Sequence, residues 1–127
     1  MSETEQYTDI FREVQSFMEQ NYSNSNVAIS DFVAARGISQ RQVVLALSYH
    51  AKSWARLLLD VRMQKARELL SYSGESIPVI ADKCGYSNVF TFERTFRAEE
   101  EKGPEEFRTW MQKERQEAEA PNGSPSS

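Results

Sequence analysis

Histidine and cysteine each occur once in the 127 residues, as His50 and Cys84, and that scarcity removes most site chemistry. A lone cysteine cannot close an internal disulfide. No two ligand-type residues of this kind stand at metal-binding spacing. Only five glycines are present, and none form a phosphate-cradling loop. Ser, His and Asp exist as residue types without a pattern that would assemble a nucleophilic triad. Carboxylates are plentiful, but they fall in charged stretches with no cleft implied. The chain is therefore expected not to be an enzyme and to hold no metal and no cofactor. His50 reads as a helix-surface or half-buried residue, and Cys84, beside Ile80 and ahead of Gly85, as small core filler.

Long hydrophobic runs are also missing. No apolar stretch approaches the ~20 residues that cross a bilayer. The start, Met-Ser-Glu-Thr-Glu, is acidic where a secretory leader would be basic and then apolar. The expectation is a chain with no membrane partner, at work in the cytoplasm with the nucleoid, where one unpaired cysteine is at home. Strand signals are nearly absent: there is no sustained alternation and no hairpin dipeptide between apolar runs.

Helical spacing is what the sequence has instead. Ile10, Val14, Phe17 and Met18 recur as one apolar stripe, which predicts an amphipathic helix over about 7–21. A Ser- and Asn-rich loop follows over 21–26. Two helix pairs come next, each punctuated by glycine. In the first, Ser30 or Asp31 is the candidate cap of a short helix over 31–36, Gly37 ends it, and Ser39 caps a helix over 40–50. In the second, Ser76 precedes a helix with Pro78 in its first turn, Gly85 ends it, and Ser87 caps a helix over 88–100.

Between the pairs, Trp54, Leu57, Leu58 and Val61, then Ala66, Leu69 and Leu70, mark one helix over about 53–72. At 1.5 Å per residue it would be roughly 30 Å long, close to the ~34 Å between successive major-groove faces of a duplex. A last helix starts near Gly103 and Pro104, with Phe107, Trp110 and Met111 on one side. The aromatics Trp54, Phe92, Phe96, Phe107 and Trp110 fit core positions better than stacking platforms for single strands. The expected organisation is an N-terminal helix and loop (1–26), a first helix-turn-helix (27–52), a linker helix (53–73), a second helix-turn-helix with closing helix (74–112) and a polar, disordered tail (113–127), with disorder expected above all over 121–127.

Charge is uneven. The formal net charge of −4 opposes nucleic-acid binding as a single number, yet residues 21–98 carry ten Lys/Arg against six Asp/Glu while both ends are acidic. Only the middle can face phosphate.

The stretch IADKCGYSNVFTFERTF at 80–96 is the sharpest local pattern. Ala81 suits a close helix crossing, Gly85 the turn, and Phe92 and Phe96 the inward side of a second helix, with Arg94 outward between them. The same grammar occurs earlier. Aligning Gly37 with Gly85 superposes Ile29 on Ile77 and Ser39 on Ser87, and with one extra residue in the second unit Val43 falls on Phe92 and Leu47 on Phe96. Such duplication is far rarer than a single corner.

Residues 27–110 resemble the DNA-binding domain of AraC/XylS transcriptional regulators. The matching stretches are DVRMQKARELL, IPVIADKCGYSNVFTFERTFR and GPEEFR, and the short single-domain members are the nearest in layout. The resemblance implies an all-α fold of about seven helices, with two helix-turn-helix subdomains joined by a long linker helix. It also implies a sequence-specific double-stranded DNA binder that reads adjacent major grooves and activates transcription, with RNA polymerase or another regulator as a further partner. Two units in one chain make dimerisation unnecessary for reading two grooves, so a monomer is expected.

Carried over by position, the base-contacting places are Arg41, Val44 and Leu45 in the first unit and Val89, Phe90 and Arg94 in the second, and Gln42 and Asn88 complete the expected base-contacting set. The phosphate-contacting set is Ser39, Lys52, Arg56, Arg62, Lys83, Ser87 and Arg97. This chain departs from the family where Leu45 stands in place of a common arginine and Val44 is also apolar, which weakens hydrogen-bonded reading by the first unit unless Arg41 or Gln42 supplies it. Val33 replaces an alanine, and Ala51 and Glu101 replace glycines. Glu99, Glu100 and Glu101 form either a solvated face or, with Val89 and Phe90, a protein contact. That last feature supports a competing expectation: a co-regulator or antagonist that keeps the fold but reads DNA weakly.

Overall fold

The computed structural model describes residues 2–119, and among them the chain forms seven α-helices and no strand. It divides into two units between Gln64 and Lys65, inside one unbroken helix.

The first unit comprises α1 (Glu3–Asn21), α2 (Ile29–Arg36), α3 (Gln40–Tyr49) and the first half of α4 (Trp54–Tyr72). α1 begins well ahead of Tyr7 because Ser2 and Glu5 close a capping box: Ser2 Oγ accepts the Glu5 N–H at 3.1 Å and Glu5 Oε1 accepts the Ser2 N–H at 3.2 Å. Its stripe of Val14, Phe17 and Met18 is buried against Val27, Phe32, Val43, Leu47, Leu57, Leu58 and Val61, with Ile10 and Trp54 partly covered. Phe17 meets Phe32 edge-on with centroids 5.4 Å apart, a favoured aromatic geometry.

The start of α2 differs from expectation. The helix opens at Ile29 with Ala28 at the cap position, so neither Ser30 nor Asp31 precedes it. Asp31 lies in the first turn, where its carboxylate accepts the Ala28 N–H at 2.8 Å and places negative charge at the positive end of the helix. Gly37 then turns the chain at φ 70°, a conformation glycine adopts without a Cβ clash. Ser39 caps α3 as the sequence predicts.

The second unit holds the rest of α4 together with α5 (Ile77–Lys83), α6 (Val89–Glu100) and α7 (Pro104–Ala118). Ser76 caps α5, with Pro78 in its first turn, and Gly85 turns at φ 90°. The cap of α6 is Asn88 rather than Ser87: Asn88 Oδ1 accepts the N–H groups of Phe90 and Thr91 at 2.8 and 3.2 Å. Asparagine ranks with serine at this position, and here it is the residue adjoining the first helical one. Ala66, Leu70, Ile77, Ile80, Ala81, Cys84, Phe92, Phe96 and Phe107 are buried.

The duplicated pattern is visible in burial. Val43 and Leu47 in α3, and Phe92 and Phe96 in α6, are all at most 2% exposed. His50 is half-buried and stacks on Phe11 at 4.2 Å.

Two expectations are corrected in α7. Trp110 is 42% exposed rather than core, with the Lys102 ammonium 4.7 Å from its ring centroid. Residues 113–118, expected in the polar tail, continue the helix. They are good helix formers, and Arg115 anchors them by donating to the Ser71 carbonyl while its guanidinium lies 5.0 Å from the Tyr72 ring centroid. The stretch 121–127 lies outside the described residues. Among the described residues no helix is long and apolar enough to cross a membrane.

Candidate nucleic-acid interface

In α3 the buried residues Val43, Ala46 and Leu47 fix which side faces the core. Arg41, Val44, Leu45 and Ser48, at helical spacing of 0, 3, 4 and 7, therefore form the outward stripe, and all four are exposed. Val44 is 47% and Leu45 40% exposed, so neither contributes to the core. Gln42 is exposed too, but its carbonyl oxygen accepts the Ser39 N–H at 3.2 Å while Ser39 Oγ accepts the Gln42 N–H at 3.2 Å. Both side chains thus work first as a helix cap.

Ser48 and Tyr49, three and four residues after Leu45, are exposed as well, and neither belongs to the expected contact set. Tyr49 is 53% exposed and its hydroxyl donates to Thr4 Oγ1 at 3.4 Å. This brings the start of α1 beside α3. Tyr7 sits 5.5 Å from the Tyr49 ring, and its hydroxyl pKa is raised by loss of solvent and by Glu3, with Arg41 opposing.

The cations expected at phosphates in this unit have partners within it. Lys52 Nζ lies 2.6 Å from Asp60 Oδ2, and Arg56 donates to Asp60 Oδ1 at 2.9 and 3.0 Å. Burial alone would push the Asp60 carboxyl up, but the hydrogen bonds and charges of Lys52 and Arg56 together outweigh it and hold the pKa down. Arg62 donates to the main-chain carbonyls of Tyr22 and Asn24 at 3.1 and 2.9 Å, which pins the loop after α1 onto α4.

In α6, Phe92 and Phe96 face the core. Phe90, Arg94 and Arg97 run along the opposite side at spacing 0, 4 and 7, flanked by exposed Thr91, which is not in the expected contact set. Phe90 is 73% exposed. Val89 is half-buried at the margin of the core side, Ser87 is exposed in the preceding turn, and the Asn88 carbonyl oxygen is used in capping. Lys83 pairs with Glu75 at 2.6 Å, so its charge is partly neutralised locally. Arg97 lies 3.9 Å from Glu106 and folds across Gly103, where an added Cβ would meet Nη2 at 2.5 Å.

The acidic run divides in role. Glu100 accepts from Arg67 of α4 at 2.7 Å and is only 19% exposed at its side chain, whereas Glu99 and Glu101 are exposed. Arg41 and Arg94 have no ion-pair partner among the described residues.

A family model described as a helix-turn-helix domain matches residues 32–109, which contain both turns and both outward stripes. The chain belongs to the AraC family. It is 29% identical over 102 residues to the raffinose operon transcriptional regulatory protein RafR of Pediococcus pentosaceus, covering 80% of this chain and 36% of that one. It is 32% identical over 83 residues to the transcriptional activator RhrA of Rhizobium meliloti, covering 64% of this chain and 26% of that protein. The chain thus spans about a third or less of the curated relatives it matches. A crystal structure of an AraC-type regulator from Chromobacterium violaceum superposes with a TM-score of 0.75 at 28% identity, covering 82% of this chain and 93% of that one. The AraC family is a class of DNA-binding transcription regulators and not of enzymes.

Proposed function

We propose that this AraC-family chain is a sequence-specific double-stranded DNA-binding regulator, with α3 and α6 as its two recognition helices in adjacent major grooves. The supporting observation is that each helix-turn-helix presents a capped second helix whose outward stripe carries an arginine without an ion-pair partner among the described residues, Arg41 in one and Arg94 in the other. Arginine can contact guanine through two parallel hydrogen bonds, whereas the capped helix starts offer main-chain polarity to phosphate.

Ser39 and Ser87 precede these stripes and Arg97 closes the second one, and all three are assigned to the phosphate backbone. Lys52, Arg56 and Lys83 join them to the extent that DNA competes with Asp60 and Glu75 for their charge. Activation through RNA polymerase, action as a monomer and residence with the nucleoid belong to the same proposal. Of these, only the regulatory and activating role has a counterpart in the relatives' names, RafR being called a transcriptional regulatory protein and RhrA a transcriptional activator.

The test is selection from random duplexes followed by affinity measured against salt. Each neutralised phosphate contributes a slope of about −0.9 in log K against log salt, so a slope of about −3 to −6 is expected. The competing co-regulator reading draws on exposed Val44, Leu45 and Phe90. It requires flat or absent duplex binding together with a stable protein partner.

A further inference from the structure

Resting on the DNA-binding reading, we propose that the first unit reads the 5-methyl group of pyrimidines, with Val44 and Leu45 as the reading side chains. Both stand on the outward stripe of α3, turned away from Val43, Ala46 and Leu47, and both are substantially exposed. Neither has a donor or an acceptor, so neither can match the hydrogen-bonding edge of guanine, adenine or cytosine. The C5-methyl is the one apolar feature a base pair shows in the major groove. An apolar side chain set against any other edge strips water from base nitrogens and oxygens and leaves them unpaired, which is unfavourable. Selectivity thus comes from attraction at a methyl and from penalty elsewhere.

The surroundings favour DNA over a protein as the occupant. Val44 and Leu45 lie between the exposed Arg41 guanidinium and the Ser48 hydroxyl on the same stripe. The area of these two side chains is several-fold below the ~800 Å² per partner of a stable protein interface. Arg41 and the positive start of α3, capped by Ser39, supply the sign of charge that a phosphate backbone attracts. The second unit is built differently, with Arg94 and Arg97 as donors on its stripe. In the first unit, methyl contact by Val44 and Leu45 thus stands beside hydrogen bonding by Arg41 on the same stripe.

The experiment titrates the full chain against its selected duplex, using Arg94→Ala to mark the half-site read by the second unit. In the other half-site each thymine is replaced by deoxyuridine, which keeps pairing and removes only the methyl. Affinity should fall about 4-fold per methyl, the worth of one buried methyl-sized group. Val44→Ser and Leu45→Ser, which leave the core untouched, should bind the two duplexes more nearly alike.

A further arm compares cytosine with 5-methylcytosine at the same positions. Recovery with 5-methylcytosine assigns the methyl alone; no recovery, with thymine still preferred to uracil, assigns thymine. Equal wild-type affinity for thymine and uracil duplexes, with salt-dependent and Arg94-dependent binding intact, overturns this proposal and leaves the regulator reading standing. Absence of salt-dependent duplex binding overturns both.

Discussion

The Arg108 guanidinium of α7 donates to the main-chain carbonyl of Glu75 at 2.7 Å, and the same group reaches the Leu70 and Ser73 carbonyls at 3.2 and 3.3 Å. Carbonyls at the C-terminal end of a helix have no N–H of a further turn to accept from, and a cation there also opposes the negative end of the helix dipole. One planar group therefore fixes the turn from which α5 departs.

Replacing Arg108 with alanine should lower the unfolding free energy by about 2–3 kcal/mol, since hydrogen bonds to a charged donor are lost at half-buried acceptors. Lysine should recover less than half of that, because an ammonium cannot span three carbonyls with the fixed fork of a guanidinium. Urea unfolding of the three proteins checks both values.

Glu101 and Ala51 hold φ of 65° and 59°, the left-handed region, at positions where glycine would fit without strain. A left-handed residue with a Cβ costs about 1–2 kcal/mol, and glycine's extra freedom in the unfolded chain gives back roughly 0.5–1 kcal/mol of that. Glu101→Gly and Ala51→Gly should each stabilise by about 0.5–1 kcal/mol. The urea midpoint should rise at an unchanged slope.

Arg94→Ala should relax base preference within the half-site of the second unit by about 1–3 kcal/mol while leaving the fold intact, because the side chain is exposed. Competition between the selected duplex and single-base variants measures this. Unchanged discrimination would remove Arg94 from the base-reading set.

Asp60 supplies a pH dependence. Its folded pKa lies below the ordinary carboxylate value despite partial burial, because Lys52 and Arg56 bind the ionised form. Its contribution is then complete above the unfolded pKa and is lost as pH falls through the lower folded value. Asp60→Asn should flatten the acid limb of stability against pH below about pH 4. The difference between the two proteins in chemical unfolding across pH 2–6 gives the result.

Sequence alone carried the fold class, since apolar spacing, glycine turns and Ser caps are local signals that neighbours in the chain decide. The inward positions Val43, Leu47, Phe92 and Phe96 and the glycine turns at 37 and 85 followed from the duplicated pattern. Local competition was harder to read: Asp31 acts inside α2 rather than before it, and Asn88 displaces Ser87 as the cap.

What only tertiary structure decided was the use of the cations. Arg62, Arg108 and Arg115 reach carbonyls some 33 to 44 residues away, and Lys52 and Arg56 converge on Asp60. A charged side chain looks the same in sequence whether it meets phosphate, carboxylate or a helix end. Its partner depends on which distant segment the core brings within reach, and no residue spacing encodes that.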